Sequence, residues 1–334
     1  MSSTDLRYDQ LRLWVSEYLG VRDVSLERAS EDASFRRYFR ARGESRTWIV
    51  MDAPPEREDC KPFVKVAALM REAGVHVPQV IAQDLGRGFL LLSDLGTTTY
   101  LKALSAENAD SLFGDAIDAL IKWQLASQQG ILPPYDEALL RRELELFPDW
   151  YMLRHVGTPP DERQRKVLDE IFARLISAAL SQPSVYVHRD YMPRNLMVSD
   201  PNPGVLDFQD AVYGPITYDV VSLFRDAFLS WPEEQVIDWA VRYWERARRA
   251  GLPLESDFAA FYRDLEWMGL QRHLKVLGIF ARIHYRDGKA GYLEDTPRFV
   301  TYVRRTAERY SELGRLLELF DALEQRSASS GYSF

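Results

Sequence analysis

The chain has 334 residues, 46% hydrophobic and 28% charged, with a formal net charge of −8 at pH 7. That length supports a large core and more than one compact unit, and the acidic balance argues against nucleic acid or an anionic membrane as partner. A lone cysteine, Cys60, excludes an internal disulfide; no apolar run approaches the roughly 18–20 residues of a membrane span and no apolar h-region follows Met1, so a reducing cytoplasm is expected.

Residues 5–19 set Leu6, Leu11, Trp14, Val15, Tyr18 and Leu19 at helical spacing, with Gly20 as the stop. Residues 21–50 shorten to strand-like runs at 24–26, 38–40 and 48–50, with a polar turn at 29–37 between the first two. Residues 62–73 carry Phe63, Val66, Ala67, Leu69 and Met70 on one helical stripe, with Pro62 in the first turn and Gly74 at the end. Residues 75–81 are extended around Pro78, and 88–96 spell a buried strand running into a Gly-terminated bend. From there the pattern is helical: 108–129, 136–152 and 161–180, then, after an interruption, 218–228, 233–250, 256–285 and 297–323. The final SASSGYSF lacks a packing pattern.

The interruption, residues 185–210, reads VYVHRDYMPRNLMVSDPNPGVLDFQD. Three short apolar runs, at 185–187, 196–198 and 205–206, each lie beside polar residues, and HRDYMPRN fits H-R-D-x-x-x-x-N in full. Chance can match that string, but it seldom adds strands before the His and after the Asn and a strand-terminal aspartate twelve residues beyond. The pattern suits a phosphotransferase. Asp190 would accept or orient the proton of an attacking hydroxyl, while Asn195 and Asp207 would hold Mg2+ on the phosphates of ATP through hard oxygen donors. Catalysis of this kind is mainly positioning and charge neutralisation. His188 is expected to anchor the loop, and Asp219, at the start of the next helix, to brace it or serve as a plain N-cap.

A nucleotide site needs two further parts. The turn before the second strand, with Ser34, Phe35, Arg36 and Arg37, should fold over the phosphates, although no glycine between Val21 and Arg42 eases a close backbone approach. The third strand should end in a phosphate-pairing lysine; Met51 stands there and Asp52 follows, so Arg37 or its neighbour Arg36 is expected to supply the charge. At the bend, Ser93, Asp94 and Leu95 should offer groups to the adenine edge. The expected division is a nucleotide-binding lobe, 1–95, and a helical lobe, 96–334, with the catalytic loop and acceptor site.

These residues resemble the aminoglycoside-phosphotransferase/choline-kinase superfamily. Met192 stands where protein kinases carry a lysine, Pro193 is typical of the small-molecule group, and no A-P-E segment follows Asp207. The resemblance spans residues 21–228 by motif. It implies an α+β, bilobal protein-kinase-like fold, with a small antiparallel-sheet N-lobe and a larger, mainly helical C-lobe. Within the superfamily, ASFRRYF, WIVMDAPPE, HRDYMPRNLMV, GVLDFQDAVYGPITYDVVSLFRD and LQRHLKVLGIFARIHYRDGK are similar to a branch of anomeric amino-sugar kinases, whose pattern includes Met51. The implied reaction is ATP- and Mg2+-dependent phosphorylation of the C1 hydroxyl of N-acetylmuramate and N-acetylglucosamine. The sugar 1-phosphate would then go to a uridylyltransferase in peptidoglycan recycling. The implied state is a monomer with a small-molecule sugar and ATP as its partners, and neither nucleic acid nor membrane. A lactyl carboxylate on the sugar calls for a cation: Arg194, Arg272, His273 and Lys275 are candidates, the last three alternatively forming a solvated helix face, while Gln209 and Asp210 could bond sugar hydroxyls. A kinase for an aminoglycoside, a choline-like amine or an amino acid would instead need an acidic cleft. A nucleotide-binding pseudokinase is favoured by Met51 and opposed by the intact Asp190, Asn195 and Asp207.

Overall fold

A computed structural model of the chain describes residues 3–22, 24–30, 35–44 and 46–330. In chain order it contains helix α1 (Ser3–Leu19), strands β1 (Leu26–Ser30), β2 (Arg37–Arg42) and β3 (Thr47–Asp52), helix α2 (Lys61–Glu72), and strands β4 (Val80–Asp84) and β5 (Phe89–Ser93). Helices α3 (Tyr100–Ala103), α4 (Ala109–Leu125) and α5 (Glu137–Leu144), a π-helical segment (Phe147–Val156) and helix α6 (Glu162–Ser181) come next. Strands β6 (Ser184–Val187), β7 (Leu196–Met197), β8 (Gly204–Val205) and β9 (Val212–Pro215) precede helices α7 (Tyr218–Phe224), α8 (Glu233–Arg249), α9 (Phe258–Asp287), α10 (Thr296–Arg309) and α11 (Gly314–Ser330). Among the described residues no helix is long and apolar enough to cross a membrane.

The chain divides into two compact units, Met1–Trp123 with Pro193–Ala211, and Gln124–Met192 with Val212–Phe334. This differs from the expected boundary after Leu95. Backbone and side-chain bonds explain the difference: Val198 N donates to Thr98 O at 2.9 Å, and Asn202 Nδ2 donates to the Tyr100 hydroxyl at 2.8 Å and to Asp115 at 2.6 Å. Those bonds bind the segment beyond Leu95 and the returning ribbon 193–211 into the first unit.

The first unit is built on a five-stranded antiparallel sheet in the order β1-β2-β3-β5-β4. Alternation divides its side chains between two faces. Phe39, Ala41, Trp48, Val50, Phe89 and Leu91 share one core with Leu11 and Val15 of α1, whereas Met51, Leu90 and Leu92, also buried, occupy the alternate positions. Of the apolar residues expected on the α1 stripe, Leu11 and Val15, one turn apart, are fully buried, while Leu6 and Tyr18 stay exposed. Gly88 is required where β3 leaves the sheet: its φ is +72°, and a Cβ there would sit 1.8 Å from Ala53 O.

The second unit is organised on α9, which packs against α6, α7, α10 and the π-helical segment. Residues 136–152, expected as one helix, instead stop at Leu144 and resume as the π-helical segment. Pro148 has no N–H to return to Leu144, and α9 crosses the junction so closely that a Cβ on Gly278 would lie 2.3 Å from the carbonyl of Leu146. The expected helix 297–323 is likewise divided: Tyr310 leaves helical geometry at φ −120°, ψ 112°, and its hydroxyl donates to Glu266 at 2.7 Å. Strand β6 pairs with β9, while β7 pairs with β8, so the three apolar runs expected around the catalytic loop belong to two separate ribbons.

Candidate active site

In the first unit, the β7–β8 ribbon aligns Leu196 with Val205, and Leu206 N donates to Asn195 O at 2.9 Å. The ribbon therefore ends with Asn195 beside Asp207. Asn195 Nδ2 lies 3.4 Å from Asp207 Oδ2, and Gln209 Nε2 donates to Asp207 Oδ1 at 2.8 Å. Asp207 has φ 63°, in the left-handed region that aspartate enters more readily than most residues. Its neighbour Phe208 is buried against Phe63 of α2, ring centroids 4.8 Å apart. Gln209, expected at the sugar, thus gives its amide to the carboxylate, and its buried Oε1 has no partner among the described residues. Asp210 and Arg194 are exposed. Two protein oxygen donors, one of them a carboxylate, fit magnesium, which takes few protein ligands and leaves its other positions to phosphate and water.

The register of β2 and β3 sets Arg37 opposite Asp52. The fully buried Asp52 accepts from Arg37 Nε at 2.9 Å and from Arg7 Nε at 2.7 Å, so Arg37 is committed inside the sheet. Arg36 points elsewhere. Its Nη2 lies 2.9 Å from Glu58 Oε2; burial opposes its charge, but Tyr38, Glu58, Asp210 and Asp207 outweigh that and raise its pKa. Met51 is fully buried opposite Tyr38 and Leu90. Phe35 is exposed under the Arg57 guanidinium at 4.7 Å, and Ser34 lies outside the described residues. At the bend, the Ser93 amide and hydroxyl both bond the Gln79 backbone, and the Asp94 carboxylate accepts from Arg40 Nε at 2.6 Å and from Gly96 N at 3.0 Å. These contacts engage the Ser93 amide and the Ser93 and Asp94 side chains in holding the bend, with the half-buried Leu95 beyond them.

In the second unit, the half-buried Asp190 follows a tightly held turn. His188 is fully buried, and its N–H donates to Asp219 Oδ2 at 2.6 Å while Arg189 N donates to Asp219 Oδ1 at 3.0 Å. The Asp219 carboxylate therefore serves the loop and not its own helix. Burial pushes it up to about 7 against those two donors. Asp190 N lies 3.2 Å from His188 Nδ1. Arg189 adopts φ 77°, a conformation costing an L residue roughly 1–3 kcal/mol.

The expected sugar contacts on α9 are corrected. Arg272 and His273 are buried, and Lys275 lies 2.8 Å from Glu143 Oε1 and 2.9 Å from the Tyr218 hydroxyl. His273 sits against Phe299 and Tyr302, centroids 5.6 and 4.9 Å away, and burial holds it neutral, well below its ordinary pKa. With neighbours on every side, α9 has no solvated face at these positions. Sequence reasoning missed Glu143 and Glu58. The one signal for Glu143 is its place on the apolar stripe of α5, between the buried Leu140 and Leu144; Glu58, in a polar turn, gave none.

Residues 25–256 match the phosphotransferase enzyme family. An N-acetylmuramate/N-acetylglucosamine kinase from Pseudomonas putida is 53% identical over 334 residues, covering 97% of this chain and 98% of its own. A protein of the same name from Pseudomonas aeruginosa is 55% identical over 333 residues, with the same coverage, and one from Neisseria meningitidis is 46% identical over 334 residues, covering 98% of this chain and 99% of its own. Among solved structures, a choline kinase from Streptococcus pneumoniae superposes with a TM-score of 0.63 at 12% identity, covering 89% of this chain and 99% of that one. An ADP-bound aminoglycoside phosphotransferase gives 0.59 at 13%, covering 89% and 98%. At such identities these two speak for the fold, and it is the α+β, protein-kinase-like fold expected from the sequence.

Proposed function

We propose that this chain, which belongs to the phosphotransferase enzyme family, transfers the γ-phosphoryl group of ATP to the C1 hydroxyl of N-acetylmuramate and N-acetylglucosamine. The observation that carries the substrate is end-to-end identity of 46–55% with three kinases named for these two sugars. The site supports the reaction class. Asp190 would take or orient the proton of the C1 hydroxyl; an anomeric hydroxyl is more acidic than an ordinary alcohol, so one positioned carboxylate suffices. Asn195 and Asp207 would hold the metal, with Gln209 fixing the orientation of the Asp207 carboxylate. Magnesium, when bound there, neutralises charge on the phosphate oxygens.

Arg36, steadied by Glu58, would face the phosphates in place of the strand lysine that Met51 replaces. Ser34 and Phe35 would belong to the same phosphate-covering turn, and the Leu95 backbone would meet the adenine. Arg194 and Asp210, both exposed beside the catalytic and metal residues in sequence, are the remaining contacts for the sugar, Arg194 suiting a lactyl carboxylate. The product sugar 1-phosphates would feed UDP-sugar synthesis in peptidoglycan recycling, in the cytoplasm, with the enzyme a monomer.

The test is a panel of the two sugars, choline and an aminoglycoside, each with ATP and Mg2+, scored by ADP release. The sugars should exceed the two cationic acceptors by about a hundredfold or more in kcat/KM, well within the roughly 10⁴–10⁵-fold discrimination a hydrogen-bonding site reaches. Preference for either cation would contradict the reading.

A further inference from the structure

Glu143 is 5% exposed and collects four donors. Its Oε1 accepts from Arg189 Nη2 at 2.6 Å and from Lys275 Nζ at 2.8 Å; its Oε2 accepts from the Tyr135 hydroxyl and from Gln271 Nε2 at 3.2 Å. Burial works against the carboxylate, but Lys275 and Arg189 outweigh it and hold the group at about 2, so it stays ionised. A buried charge cluster is weak evidence of stabilisation, because apolar side chains of the same volume often serve as well. What such a cluster does supply is fixed geometry. Of its members, Arg189 alone belongs to the HRD loop, and Arg189 has the left-handed φ of 77°. Its amide is held from the other side by Asp219 at 3.0 Å, and the next residue is Asp190.

We propose that the Glu143 cluster is a positioning device: by gripping the Arg189 guanidinium it keeps that residue in the left-handed turn from which Asp190 is presented to the acceptor hydroxyl. Lys275, Tyr135 and Gln271 keep Glu143 immobile, and Asp219 fixes the opposite end of the same residue. The inference rests on the catalytic role proposed for Asp190.

Two substitutions separate backbone geometry from charge. Arg189→Ala and Arg189→Gly remove the same guanidinium and leave Glu143 its Lys275 partner, yet only glycine takes a positive φ without a tether. With the full chain, N-acetylglucosamine, ATP and Mg2+, R189A should lose about tenfold or more in kcat with both KM values within about twofold, and R189G should stand about fivefold or more above R189A. Equal kcat in two folded variants, or a loss carried by KM, would overturn the proposal. Should R189A not fold, R189G is compared with Glu143→Gln/Arg189→Gly. With the tether already gone, neutralising Glu143 should change kcat by less than about twofold, and a further loss beyond about fivefold would overturn it. Asp190→Asn is run alongside: activity in that variant removes the reading of Asp190 itself, whereas an inactive D190N with indistinguishable R189A and R189G removes only the tether.

Discussion

Arg36 and Arg37 are adjacent in sequence and opposite in consequence. Arg37 shares the buried Asp52 with Arg7, whereas Arg36 pairs with Glu58 and feels the charges of Asp207 and Asp210. Arg36→Ala should therefore raise the KM for ATP, by about tenfold if one charge-assisted phosphate contact is lost, with little change in melting temperature. Arg37→Ala should do the reverse, costing roughly 1–3 kcal/mol of stability while Arg7 remains on Asp52. Steady-state kinetics and urea unfolding of the two variants read this directly. Glu143 gives a pH prediction. Its folded pKa of about 2 lies below its ordinary 4.5, so its ionisation stabilises the fold above about pH 4.5 and that contribution is lost as the pH falls toward 2. The contribution is roughly 3 kcal/mol at neutral pH. Urea unfolding across that range should show the acid loss in the native enzyme and a shallower one in Glu143→Gln. The candidate residues for the chemistry were legible because HRDYMPRN and the strand-terminal Asp207 are local strings. The choice between Arg36 and Arg37 was not, because it depends on the register that brings Arg37 to Asp52. Nor were the left-handed φ values of Arg189 and Asp207, since neither residue is a glycine that would advertise them.

Among the elements, α9 departs furthest from its sequence pattern. Arg272, His273 and Lys275 are consecutive or nearly so and polar, which on an isolated helix marks a solvated face; here α6, α7, α10 and the π-helical segment close around them. That enclosure is a property of other segments and leaves no trace in the spacing of α9 itself. Gly278 marks the tightest point. Its missing side chain lets α9 approach the Leu146 carbonyl, where a Cβ would be 2.3 Å away against backbone that cannot swing aside. Gly278→Ala should therefore destabilise the fold by about 2 kcal/mol or more, the overpacking scale. A thermal melt and urea titration would register it; a melting temperature equal to that of the native enzyme would show that the junction yields. The helix ends at Leu144 and Tyr310 were missed for related reasons. Pro148 signals a break in sequence, but the position of the break is set by the crossing of α9, and Tyr310 leaves its helix to reach Glu266.

At the scale of the whole molecule, strands followed by helices spelled the α+β class before any contact was known, and the solved relatives share that fold. The grouping of the chain was harder to read. Ribbon 193–211 joins the first unit through bonds to Thr98, Tyr100 and Asp115, all about a hundred residues earlier, and no local pattern announces such pairings. The same ribbon carries Asn195 and Asp207, so the two residues proposed to hold the metal belong to the same unit as Arg36, which directly precedes β2. The position of the transferred phosphate, proposed to be the C1 hydroxyl, is directly observable. The purified enzyme, N-acetylglucosamine, ATP and Mg2+ should yield a product whose phosphorus couples to the anomeric proton in ³¹P–¹H NMR, with no phosphate at the other hydroxyls. Coupling to a C6 or C3 proton, or no sugar phosphate at all, would contradict an anomeric kinase.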